Sequence, residues 1–316
     1  MIDFFGRRLL YLVPVLLGVA LLTFSIASLL PGDLAFVLLG DQATPESLAA
    51  VRRDLGLDQP IVLRFFNWLA QVVQGDLGRS FRTGQTVADA IAERLPVSLQ
   101  LMVLAQIGAL AIAIPLAIFC AVHQGGRLDR FATSAAFANL SVPSFLSAIV
   151  LIWLFAVKLE WLPATGYVPM GEGVLDNLRS FALPALTLAL GEWPVLMRVL
   201  RSDMISTLRE NYIAMARAKG LKPARILFLH ALKPSSLTLV TVTGINIGRL
   251  LGGALIVEQI FALPGLGRLL VSSIYARDLI VLQGVVLFVA AGFVVVNLLV
   301  DMIYAVLDPR IRRGRH

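Results

Sequence analysis

Six apolar runs, each long enough to cross a bilayer as a helix, constrain this chain more than any other feature. They lie at 9–30, 97–122, 131–157, 181–199, 237–257 and 281–307. About 20 residues at 1.5 Å each span the roughly 30 Å of hydrocarbon in a membrane. Only helices and closed barrels keep every backbone polar group paired there. A barrel strand needs only about ten residues and alternates polar with apolar positions, and these runs do neither. With 58% hydrophobic and 15% charged residues, a soluble globule of this length could not cover its apolar surface with polar side chains. The expectation is an all-α membrane protein with six transmembrane helices.

Arg7 and Arg8 precede the first run as they would in a signal peptide. A removable apolar core is about 7–15 residues long; this run has 22 and no convincing A-x-A site follows it. It reads as a retained anchor.

Lysine and arginine in short loops set orientation. One set of loops carries sixteen of them: Arg7, Arg8, Arg127, Arg130, eight between Arg198 and Lys233, and Arg310, Arg312, Arg313 and Arg315. The opposite short loops carry four, Lys158, Arg179, Arg268 and Arg277. Both termini are therefore predicted to be cytoplasmic. The net charge of +7 follows from this bias, and no nucleic-acid partner is expected. The single cysteine, Cys120, lies in an apolar run, which leaves neither a disulfide framework nor a metal cluster to expect.

Three regions follow. Residues 1–30 form a tail and the first span, 31–96 an extracytoplasmic helical segment, and 97–316 a five-helix core. In 31–96 helix signals recur: Thr44 before Pro45 with Gly56 as a stop, Asp58 and Pro60 before an aromatic run to Val73, and Thr86 before a helix over 87–94. Phe65, Phe66 and Trp68 are read as interfacial anchors or packing, with partner docking as the alternative.

Within the core a cytoplasmic loop, 201–236, is basic and amphipathic. Thr207 to Glu210 has the form of a capping box, a helix continues over 211–219, and Gly220 falls where a left-handed C-terminal cap would sit. Pro223 starts a second short helix predicted to end near Pro234. On these residues the loop, YIAMARAKG with HALKP downstream, resembles the "EAA" loop of ABC-type importer permeases. The family's glutamate position falls on Ala214, and the closing Pro234 is one residue late. RRLLYLVPVLLGVALLTF, LLPGD (29–33), GDLGRSF (75–81), VPSF (142–145), WLPATG (161–166), IVEQIFALPGLGRLLV (256–271) and LLVDMIYAVLDPRIR (298–312) resemble the dipeptide/oligopeptide/nickel branch, B-type subunit.

The resemblance implies a type I importer permease of the bacterial inner membrane. It would pair with a second, homologous permease, two ATPase subunits and an extracytoplasmic solute-binding protein. The residues it offers to the ATPase are Tyr212, Ala214, Ala216, Arg217, Lys219, Gly220, Arg225, His230, Leu232 and Pro234. None of the four lysines follows a glycine, so there is no G-x-x-x-x-G-K-[ST] phosphate loop. No cofactor is expected on this chain, with ATP and Mg used by the partner ATPases. Peptides are the favoured solute, with nickel or another small solute as alternatives. A self-sufficient secondary transporter is the rival class and would need its own ion-coupling site. An intramembrane hydrolase lacks a base, since His123, His230 and His316 all lie in loops or at the terminus.

Polar groups within the runs are candidates for the translocation path or a helix interface. Gly244, Gly248 and Gly252 recur every four residues, giving a face for close packing inside the chain or against the partner. Asn139, Asn246, and Asn297 with Asp301 suit interhelical hydrogen bonds or a wet path. Glu192 and Arg249 are charges at membrane depth, where an unpaired one costs at least about 2.5 kcal/mol. They are expected to pair, with independent water exposure or snorkelling as the alternative.

Overall fold

The structure, a computed structural model, describes residues 2–29, 44–54 and 58–307. Residues 30–33 of the LLPGD stretch, Gly56, and Arg310, Arg312, Arg313 and Arg315 lie outside the described residues, as does the side chain of Asp301. Among the described residues helices are the only regular elements, with one isolated bridge between Arg79 and Thr86.

In chain order they are α1 (Ile2–Leu29), α2 (Pro45–Asp54), α3 (Ile61–Val73), α4 (Val87–Val122), α5 (Arg127–Leu140), α6 (Ser144–Leu151), α7 (Val174–Leu208) and α8 (Asn211–Ala218). Then come α9 (Pro223–Arg225), α10 (Lys233–Ile260), α11 (Leu266–Tyr275) and α12 (Leu279–Leu307). Two π-helical stretches, Ile152–Lys158 and Ile226–Leu232, continue α6 and join α9 to α10.

Four helices among the described residues are long and apolar enough to cross a membrane: Val87–Val122, Val174–Leu208, Pro223–Leu250 and Leu279–Val300. The run at 131–157, expected as one span, is sharply bent. Arg127–Leu140 and Ser144–Lys158 meet at 105°. Pro143 lacks an N–H and disfavours helical backbone at Val142, so the chain breaks there. Pro143, at φ −61° and ψ 143°, then caps α6. The predicted short helix over 87–94 is corrected, because α4 runs on unbroken through Pro96 for 36 residues. Its start is as signalled, with Asp89 N–H donating to Thr86 Oγ1 at 3.1 Å.

The chain divides into two compact units. The first combines Met1–Pro96 with Leu269–Gly292. Ser80 Oγ donates to Asp278 Oδ2 at 2.5 Å and Arg82 Nη1 to the Ala276 carbonyl at 3.0 Å. A methyl group added at Gly78 would stand 2.8 Å from Ile280. These contacts fasten the GDLGRSF loop to residues near the chain's end, so the unit crosses the 96/97 boundary drawn from sequence. Phe24 of α1 stacks near Phe65 and Trp68 of α3, at 5.5 and 5.6 Å between centroids.

The second unit holds Val97–Arg268 and Phe293–His316. Its core runs along α7, where Phe181, Leu183, Leu196, Met197, Leu200 and Met204 are fully buried. Against it α4 sets Ala105, Ala109, Ala113 and Ala117, one every four residues and all fully buried. Lipid gives helices no hydrophobic reason to associate, so close approach of small residues supplies the attraction. A methyl at Gly108 would already stand 3.2 Å from Ala189 Cβ. Gly244 and Gly248 on α10 serve the same end: a methyl at Gly244 would collide with Val300, and one at Gly248 would lie 3.1 Å from the Phe293 ring, both on α12.

Candidate functional site

Between α7 and α10 the chain folds into a compact helix, turn and helix. α7 runs through Thr207 to Leu208, and α8 begins after Glu210, whose side chain makes no cap hydrogen bond. The expected capping box is therefore absent. Thr207 Oγ1 instead pairs with Ser235 Oγ at 3.1 Å, tying the end of α7 to the start of α10. The turn after α8 is as the sequence predicts. Gly220 has φ +75°, its N–H donates to the Arg217 carbonyl at 2.9 Å, and Leu221 N–H donates to Ala216 at 3.2 Å. This is a Schellman closure, which needs a left-handed residue at the position Gly220 holds. Leu221 packs with buried Ile213, Ala216 and Ile226, giving the loop a small core of its own.

The second helix does not end at Pro234. α9 passes through the π-helical stretch into α10, and Pro234 sits in the first turn of α10, where its missing N–H is tolerated. Residue 230 would ordinarily give its carbonyl to the N–H of residue 234. Here Tyr212 Oη donates to that His230 carbonyl at 3.1 Å, bracing α8 against the π-helical stretch. Partial desolvation of the side chain, and then the charge of Glu210, push the Tyr212 hydroxyl above its ordinary range, so it remains a donor.

The loop residues named from sequence divide by exposure. Tyr212, Ala214, Arg217, Lys219, Gly220, Arg225 and Pro234 are exposed, His230 is half-buried, Ala216 is buried in the loop's core, and Leu232 packs against the larger helical core. Sequence reasoning passed over Met215, Phe228 and Leu229, which are 59%, 57% and 47% exposed. An amphipathic reading of α8 and of the Ile226–Leu232 stretch would have found them. Sequence reasoning also passed over Asp129, which is buried at the start of α5. Arg201 Nε and Nη2 grip its two oxygens at 2.6 and 2.7 Å, and Gly125 N–H adds a third bond at 2.8 Å.

Among the membrane-depth candidates, Asn139 takes the interhelical role. Its Nδ2 donates to the Leu190 carbonyl, which Pro194 leaves without its usual donor. Asn246 is buried with its Nδ2 unpartnered. Glu192 is half-buried and Arg249 exposed, and no ion pair within 4 Å joins them; the expected pairing is not formed. Gly252 faces open space rather than another helix.

A further carboxylate, Glu258, is 1% exposed and was not singled out from sequence. Ser98 Oγ donates to its Oε1 at 2.6 Å, and Gly267 and Arg268 N–H donate to Oε2 at 2.7 and 3.2 Å. Ser98 Oγ in turn accepts Leu266 N–H at 2.8 Å. Side chains of α4 and α10 thus satisfy the first three amides of α11, the orphan donors every helix start presents. Among the described residues no group of three or more His, Cys, Asp or Glu side chains could hold a metal.

This is the architecture of a transporter's membrane subunit. The chain is similar in fold to a solved structure of the MetNI methionine ABC transporter in an inward-facing conformation, with TM-score 0.58 and 16% identity over 69% of this chain and 96% of that one. Residues 113–313 match the family described as "Binding-protein-dependent transport system inner membrane component" and residues 1–102 its N-terminal counterpart. The chain belongs to that family, as a permease subunit of an ABC importer. It is 44% identical over 306 residues, 97% of this chain and 98% of the other, to a Brucella abortus protein named as a peptide transport system permease. It is 38% identical over 312 residues, 99% of each chain, to the glutathione transport system permease protein GsiC of Salmonella typhimurium.

Proposed function

We propose that this chain carries short peptides or a closely related solute across the bacterial inner membrane. It does so as one half of a permease heterodimer, with six spans and both termini in the cytoplasm. A binding protein delivers the solute from outside and two ATPase subunits, using ATP and Mg, drive the cycle from inside. The observation that carries this is the loop over 211–232. It has its own core, a fixed glycine turn, and an exposed surface that includes the apolar Met215, Phe228 and Leu229 together with the basic Arg217, Lys219 and Arg225. Apolar anchors among charges suit a groove on a soluble partner. The peptide assignment rests on the names of the relatives.

The test is reconstitution with both permeases, the ATPases and the binding protein in proteoliposomes. Peptide uptake should require ATP and all subunits. Uptake driven by an ion gradient without ATPase would overturn the assignment in favour of a secondary transporter. With Cys120 replaced, a cysteine at Val73 should react with an impermeant thiol reagent from outside and one at Ala218 should not.

A further inference from the structure

Arg249 and Glu192 are charged groups about midway along α10 and α7, and neither has a hydrogen-bond or ion-pair partner among the described residues. The two helices are held in register at one end by the Thr207 to Ser235 hydrogen bond. From that point Glu192 lies fifteen residues along α7 and Arg249 fourteen along α10, about 22 and 21 Å at 1.5 Å per residue. Counted from that hydrogen bond the charges stand at one depth, yet they do not close on each other.

The surroundings point the same way. Exposed Ile245, Arg249, Gly252 and Ile256 form one face of α10, while Gly244 and Gly248 turn to α12. A methyl added at Gly191, beside Glu192, or at Gly252, one turn beyond Arg249, would meet nothing within 4 Å. Two glycines thus leave room next to two unpaired charges of opposite sign. A charge at this depth has to face water, a cavity or a partner rather than lipid.

We propose that Arg249 and Glu192 form a two-signed solute site in the translocation path, Arg249 receiving a terminal carboxylate and Glu192 a terminal ammonium of a short peptide. This rests on the peptide reading above. An arginine fork suits a carboxylate, which it can hold by two parallel hydrogen bonds. Two extended residues reach about 7 Å, the scale of the roughly 8–10 Å between the axes of packed helices, so the two ends of a dipeptide suit charges carried by the neighbouring helices α7 and α10. A site that binds weakly and releases fits a conduit better than an ion pair that would have to be broken in every cycle.

The test uses the complex of both permeases and the ATPases in nanodiscs, without the binding protein, titrated calorimetrically with dialanine, its C-terminal amide and its N-acetyl form. Wild type should bind dialanine at least tenfold more tightly than either blocked form. Arg249→Gln should erase the preference for acid over amide and keep that for the free amine; Arg249→Lys should retain part of the first. Glu192→Gln should erase the preference for the free amine alone. No binding of dialanine by wild type, equal binding of all three forms, or preferences unchanged in the variants would overturn the site. Loss of the second permease on purification of Arg249→Gln would overturn it too, by showing that Arg249 pairs with that subunit. Peptide uptake by the full system separates the two claims: uptake without these preferences sinks the site alone, and absence of uptake sinks the peptide reading with it.

Discussion

The hydroxyl of Tyr212 donates at 3.1 Å to the carbonyl oxygen of His230, the acceptor that Pro234, four residues on, cannot serve. Asn139 does the same for Leu190, four residues before Pro194. In each case a proline inside a helix frees a carbonyl, and a side chain from a neighbouring helix takes it up. The first of these lies in the loop through which ATP hydrolysis should act, which makes it the one to probe.

Tyr212→Phe should remove that bond at a cost of about 0.5–1.5 kcal/mol, too little to unfold the subunit. The measurable result should be a fall in uptake per ATP hydrolysed, with expression and subunit assembly unchanged. Because the hydroxyl is held above its ordinary range, the sign of any pH effect is fixed: the brace is intact at neutral pH and is lost only as pH rises past the usual tyrosine range. A flat coupling ratio between pH 6 and 9 in wild type checks this.

Asp129→Asn should be costly. The carboxylate is 3% exposed and accepts from Nε and Nη2 of Arg201, so the substitution leaves a half-buried guanidinium, 24% exposed, without its counter-charge. Breaking a fully buried pair costs about 3–5 kcal/mol, so this half-buried one should cost somewhat less, whereas replacing both partners by apolar residues is far milder. Thermal unfolding of the detergent-solubilised complex should therefore show a larger loss for Asp129→Asn than for Asp129→Leu combined with Arg201→Met.

These relationships mark where the sequence stops being readable. Run length and hydropathy announce the helices, and Gly220 announces its turn, because each is a local rule. The 105° break after Leu140 was legible in Pro143 but was hidden by the apolar run on either side of it. The Asp129 to Arg201 grip joins residues 72 apart, and no period or motif records it. Thr207 looked like a cap because cap chemistry is local; Ser235, 28 residues on, claimed its hydroxyl. Glu258 sat in plain view within IVEQIF, and nothing nearby in sequence marks its partner Ser98, 160 residues away.

Glu258→Ala should release the start of α11. It removes the acceptor for Gly267 and Arg268 and a partner of Ser98, each a buried group costing about 1–3 kcal/mol when left unpaired. Hydrogen exchange should quicken at those two amides, and Ser98→Ala should extend the effect to Leu266. Exchange unchanged in both variants would mean that the three amides are satisfied by something other than these side chains.

Gly220 offers the sharpest test of the coupling loop, because its surroundings separate space from conformation. A Cβ there would meet nothing within 4 Å, so any effect of substitution must come from the backbone, held at φ +75°. A left-handed residue other than glycine costs roughly 1–2 kcal/mol, more for a β-branched one and less for asparagine. Those sums are small against the packing of the helices, so Gly220→Val should insert and assemble. The strain is relieved most cheaply by reopening the turn, which would shift α9 relative to α8 and move Arg225 and Phe228 away from Arg217 and Lys219. Uptake should then fall steeply in Gly220→Val, moderately in Gly220→Ala and least in Gly220→Asn, while ATPase binding weakens in the same order. That ordering follows left-handed propensity and not side-chain size, since asparagine is larger than alanine. If uptake instead declines with side-chain volume, the surface around Gly220 is a contact with the ATPase rather than a hinge setting the angle between two gripped helices.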